Sequence, residues 1–137
     1  MSISSDAILA YGLSFDPDHQ FPWGTDDIED WWIDLMGINN STHPDHEEYY
    51  KAVGNANKKL PVRLLNHCSG SYTRKLLYIP ETCQYASRGD VIRFNFEEMS
   101  KAVNEESLGT FHAFLEQFGI KPQDEHGLSW ILVSYLD

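Results

Sequence analysis

Nearly every position of residues 7–15 is apolar or aromatic, and no helical cap precedes the run, a pattern that predicts a largely buried strand inside a sheet. Asp16, Pro17 and Asp18, followed by Phe21, Pro22, Trp23 and Gly24, predict an irregular loop pinned by its two aromatics. Thr25 or Asp26 can cap a helix running through Met36 and stopped at Gly37, with acids in its first turn favouring the helix dipole. At 100° per residue, Ile28, Trp31, Trp32 and Leu35 share one stripe of that helix. Asp27, Asp30 and Asp34 align opposite it, so the tryptophans are expected to pack and the acids to face water.

A second helix is predicted from about Thr42 and Pro44 through Tyr49, Tyr50 and Val53, weakening at Gly54 and the Asn55-Ala56-Asn57 stretch. Residues 62–68 and 72–79, separated by Ser69-Gly70-Ser71, predict a β-hairpin ended by Pro80. Short strands are expected at 83–86 and 91–94, on either side of a turn at Arg88-Gly89-Asp90. Residues 95–101 suit one or two helical turns. The helix expected over 105–118 carries Leu108, Phe111, Leu115 and Phe118 at core-facing spacing and stops at Gly119. The closing run, residues 128–136, is a strand suited to lie beside the first one. The expected fold is therefore α+β: a single domain over residues 1–137, with a mixed, mainly antiparallel sheet and about three helices packed on one face.

The 137 residues suffice for one core, and 42% hydrophobic content with 4 Trp, 7 Tyr and 7 Phe is too apolar for a disordered acidic chain. No apolar run approaches the roughly 18 residues of a membrane span, and residues 1–6 lack the basic start of a secretory signal, which together suggest a cytosolic protein. In that compartment Cys68 and Cys83 are expected as free thiols, and the acceptor pattern at Asn39-Asn40-Ser41-Thr42 as coincidence. Charge changes the picture most. Residues 1–50 carry all of the net −11, with eleven acids and no Lys or Arg, whereas the remainder balances ten acids with ten bases. A segment of one sign attracts cationic partners and repels phosphates, which excludes direct nucleic-acid binding.

Three stretches carry a resemblance to a known group of proteins: Ser5-Asp6-Ala7-Ile8-Leu9-Ala10-Tyr11-Gly12, then Cys68-Ser69-Gly70-Ser71-Tyr72, then Trp130 through Ser134-Tyr135-Leu136-Asp137. In these the chain resembles a family of small acidic proteins encoded by phages and prophages. The resemblance covers both ends and the hairpin but not the loops between them. It implies a viral or prophage accessory role and carries no catalytic residue across.

Catalytic and metal chemistry find little support in the spacing. His67 and Cys68 are adjacent on a strand and so point to opposite faces, which leaves Cys68 dependent on a distant partner such as His112 or His126. His43 and His46 have i, i+3 spacing, with Asp45, Glu47 or His19 as further ligands, but Pro44 distorts the helix start between them. Asp27, Asp30 and Asp34 suit a hard cation less economically than they suit a solvated helix face. Phosphate-loop, dinucleotide and nucleophile-elbow motifs are absent from the sequence.

The expectation is a non-catalytic binding protein without a cofactor, acting in the cytoplasm of a host cell and not at a membrane. Its partner-binding surface is expected to comprise Asp16, Asp18, Asp26, Asp27, Asp30, Asp34, Asp45, Glu47 and Glu48. The partner is expected to be the basic surface of a host nucleic-acid-binding or defence protein, gripped by a nucleic-acid mimic or inhibitor of the anti-CRISPR kind. The alternatives are a small Cys/His-dependent hydrolase or transferase, an immunity protein, and a phage assembly component.

Overall fold

A computed structural model describes residues 5–67, 74–87, 89–123 and 127–136. Its contacts divide the chain into a sheet unit, Met1–His19 with Val62–Asp137, and a helical unit, Gln20–Pro61.

The sheet unit is built on β1 (Ser5–Phe15), the central strand. The hairpin expected from the sequence forms as β2 (Arg63–His67) against β3 (Arg74–Tyr78), with Leu65 opposite Leu76; its expected turn at 69–71 lies outside the described residues. β3 pairs with the second half of β1 (Gly12↔Tyr78), and the short β4 (Gln84–Ala86) pairs with the first half (Leu9↔Gln84). Between them the chain inserts a 3-10 turn at Pro80–Thr82. Along the opposite edge of β1, β5 (Ser129–Leu136) runs antiparallel over Ser5↔Leu136 to Gly12↔Ser129, as the apolar closing run predicted. All of these pairings are antiparallel. Gly12 is required by close approach, because a Cβ there would overlap the Leu77 carbonyl oxygen.

The registers place Ile8, Ala10, Leu65, Leu76, Ile131 and Val133 on one face of the sheet, where Ile8, Ala10, Leu76 and Val133 are buried as one cluster. The sheet curls until two of its outer strands, β2 and β5, approach one another, so these side chains meet on its concave side. Leu13, Phe15 and Leu77 are buried on the other face. Burial on both faces explains why residues 7–15 read as a continuous apolar run and not as an alternating one.

Two helices complete this unit. In α3 (Phe96–Ala102), Asn95 caps by accepting from the Glu98 backbone N–H, and in α4 (Glu105–Gln117) Asn104 and Ser107 form a reciprocal capping box. Phe111, Phe114 and Leu115 form the buried stripe of α4, while Leu108 and Phe118 are half-buried at its margins. Gly119, at φ 66°, ends the helix as predicted. The strand expected at 91–94 does not form. Asp90 folds the chain back, its backbone N–H donating to the Ser87 carbonyl and its side chain accepting from the Ser87 N–H, and Val91, Ile92 and Phe94 are left exposed without a strand to pair with.

In the helical unit, α1 (Ile28–Leu35) follows Asp27, and α2 (His46–Lys59) is capped by the side chain of Asp45. Phe21 and Trp23 are buried and stack 4.7 Å apart, and Trp31 leans on Trp23 at 5.3 Å, so the loop aromatics do pin the segment. Packing concentrates on the start of α1. Ile28 is 2% exposed, Trp31 and Trp32 are half-buried, and Leu35, expected in the stripe, is 49% exposed in the last turn. α2 starts after Pro44, later than expected, and continues through Gly54 to Lys59. There the Trp32 indole N–H donates to the Ala56 carbonyl at 2.8 Å, and Ala56 is buried; this tertiary contact outweighs the weak helix propensity of residues 54–57. The fold is α+β, with four α-helices among the described residues where about three were expected.

Candidate functional site

The acidic residues singled out in the sequence fall into both units. In the helical unit Asp26 and Asp27 precede α1, Asp30 lies in its first turn and Asp34 in its last, and all four are exposed. Asp27 has the extended backbone of a cap but makes no capping bond through its side chain. Asp45 is already engaged, its carboxylate accepting from the Glu47 backbone N–H at 2.9 Å, and Glu47 and Glu48 occupy the first turn of α2, exposed. Carboxylates at these helix starts are stabilised by the positive end of each macrodipole, so the fold tolerates their density. Lys58 and Lys59 lie in the last turn of α2, whereas the last turn of α1 has no basic residue. Among the described residues none of Asp26, Asp27, Asp30, Asp34, Glu47 and Glu48 enters an ion pair.

The other two predicted residues belong to the sheet unit. Asp18 is exposed. Asp16 is held by Arg74, whose Nη1 lies 2.9 Å from its Oδ1, and this partial neutralisation sets it apart from the carboxylates of the helical unit.

Of the titratable groups weighed for chemistry, Cys68 and His126 lie outside the described residues. Cys83 is a half-buried free thiol whose pKa is pushed up by burial, only partly offset by a hydrogen bond with Tyr78, which favours the unreactive thiol over the nucleophilic thiolate. His43 Nδ1 lies 3.0 Å from the Thr42 hydroxyl, and His46 stacks on Tyr50. His19 packs on Phe15, and burial, with Lys75 nearby, lowers its pKa against the opposing pull of Asp16 and Asp18. Among the described residues no three His, Cys, Asp or Glu side chains gather as a metal site.

Two concavities in the sheet unit were not legible in the sequence, because each is assembled from distant segments. A polar cleft of about 280 Å³ is bounded by Glu81, Arg93, Glu98 and Trp130. A larger one, about 590 Å³, lies between Tyr11 and Leu13 of β1 and Leu108, His112, Leu115 and Glu116 of α4, and it places α4 over that face of the sheet. The only hint of it in the sequence is the i, i+4 spacing of Leu108, His112 and Glu116 beside the apolar stripe.

No described helix is long and apolar enough to cross a membrane. Comparison with protein-family models, with curated proteins and with solved structures finds no match.

Proposed function

We propose that the protein is a non-catalytic binding protein that presents the carboxylates of its helical unit to a basic surface of a host nucleic-acid-binding or defence protein. The observation that carries this reading is the set of six exposed carboxylates, Asp26, Asp27, Asp30, Asp34, Glu47 and Glu48, none of them neutralised by an ion pair among the described residues. On α1 these acids are exposed, while Ile28 is buried and the two tryptophans are half-buried. Carboxylates held on helices are rigid enough to meet Lys and Arg side chains that otherwise grip phosphates, and complementary potential gives such a contact both speed and selectivity. The resemblance to small acidic phage and prophage proteins fits an accessory role of this kind. Asp18 extends the same chemistry in the sheet unit, while Asp16, committed to Arg74, contributes least.

The test is capture from a host lysate on the wild-type protein and on the triple variant Asp27→Asn, Asp30→Asn, Asp34→Asn, immobilised at equal density. The expected result is a basic protein retained by the wild type, released by salt and largely lost from the variant. Equal retention by both matrices would overturn the proposal.

A further inference from the structure

The larger cavity of the sheet unit has the make-up of a small-ligand site. Its volume of about 590 Å³ lies within the range of roughly 300–1,000 Å³ common to such sites. Its walls are mostly aliphatic, with Leu13, Leu115 and Ile120 each at least 94% removed from water and Leu108 half-buried at the side. Polar groups enter from one helix. His112 and Glu116 are one turn apart on α4 and exposed, which sets an imidazole and a carboxylate side by side against the apolar wall. Tyr11 adds an aromatic ring from β1.

We propose that this cavity binds a small amphiphile with an apolar body and a primary ammonium head. The body fills the space against the half-buried Leu108, Leu128 and Tyr11, where it displaces water from apolar surface, above the buried Leu13 and Leu115. The head pairs with the Glu116 carboxylate, one helical turn from His112, and the Tyr11 ring lines the same space. The charge of the head follows from the lining: Glu116 is a carboxylate, and no Lys or Arg is among the described residues that line the cavity. An anionic head of the same length meets repulsion there, and a neutral head gains no ion pair.

The experiment is a titration of the uniformly 15N-labelled full chain with n-octylammonium, octanol, octanoate and ethylammonium, each below its aggregation threshold. Octylammonium is expected to saturate and to shift the amide signals of β1 around Tyr11 and Leu13 and of α4 from Leu108 to Glu116. It should bind about fivefold more tightly than octanol, the size of a partly screened ion pair, while octanoate and ethylammonium give no saturable shift at these residues. Glu116→Gln changes an exposed side chain without disturbing the core and should bring octylammonium down to the level of octanol. Octanoate binding as well as octylammonium would overturn the proposal. So would an undiminished octylammonium affinity in Glu116→Gln, or shifts confined to the acidic residues of the helical unit.

Discussion

The backbone N–H of Tyr11 donates to the hydroxyl of Thr82 at 2.9 Å, a bond between side chain and backbone where a sheet ladder would otherwise supply a carbonyl. The same hydroxyl donates to the Ile79 carbonyl at 2.6 Å, and the Ile79 N–H in turn donates to the Tyr11 carbonyl at 3.0 Å. These bonds let one edge of β1 change partner from β3 to β4 across the Pro80–Thr82 turn without leaving a buried donor unpaired.

Removing that hydroxyl should therefore destabilise the sheet unit well beyond its size. Thr82 is 1% exposed, so Thr82→Val keeps the volume but strands the Tyr11 donor, and should cost about 1–3 kcal/mol. Thr82→Ser should retain most of the stability. Urea denaturation of the three proteins checks this, and equal midpoints for Val and Ser would contradict it.

Glycines divide sharply by their surroundings. A methyl group at Gly12 meets the Leu77 oxygen and the Tyr78 Cα, both backbone atoms that cannot move independently, and Gly12→Ala should cost about 3 kcal/mol. Gly54 in α2 and Gly109 in α4 have nothing within 4 Å of an added Cβ, so alanine at either should stabilise by about 0.5–1 kcal/mol. Thermal unfolding of the three single variants gives the signs directly.

In the helical unit the burden of packing falls on the loop more than on the helix. Trp23 is 3% exposed and stacked on Phe21, and Trp23→Ala should cost about 3–5 kcal/mol. Trp31 is only half-buried, so Trp31→Ala should cost less, about 1–2 kcal/mol. A larger loss at Trp31 than at Trp23, in denaturant midpoints, would reverse this ranking.

Periodicity made the helices and the β1–β5 strand pair legible, because burial of Ile8, Val133, Phe111 and Leu115 is written directly into apolar spacing. It misled wherever a partner decided the outcome. Residues 91–94 have strand-forming side chains but no ladder to join, and residues 54–57 look helix-breaking but are held by Trp32. Leu35 keeps the phase of the α1 stripe, yet burial holds at Ile28 and is lost by the last turn. Thr82 gave no signal, since one threonine after a proline does not announce a bond to a residue 71 positions earlier. Of the candidate site, the excess of negative charge was legible by counting. The capping role of Asp45 and the Arg74 partner of Asp16 required coordinates.

His19 makes stability pH-dependent. Burial lowers its pKa below the ordinary imidazole value, so the unfolded chain takes up the proton first as pH falls. Its contribution is therefore a loss of stability that begins near pH ~6.5 and grows as acid approaches the native value. The stability of the wild type relative to His19→Asn should decline from pH 7.5 to pH 5. A difference that stays constant or rises toward acid would contradict this assignment.

The most direct test of the account is the association rate of the captured partner with the wild type and with the Asp27→Asn, Asp30→Asn, Asp34→Asn variant, at low and at physiological salt. The three side chains are exposed and make no ion pair among the described residues, so both proteins should unfold at nearly the same denaturant concentration. The wild type should associate faster at low salt and slow as ions screen its charges over roughly 10 Å at 0.1 M. The variant should associate more slowly and respond less to salt, with dissociation changed less than association. Matching association rates, with no salt dependence in either protein, would mean that the carboxylates of α1 are a solvated surface and not a binding site.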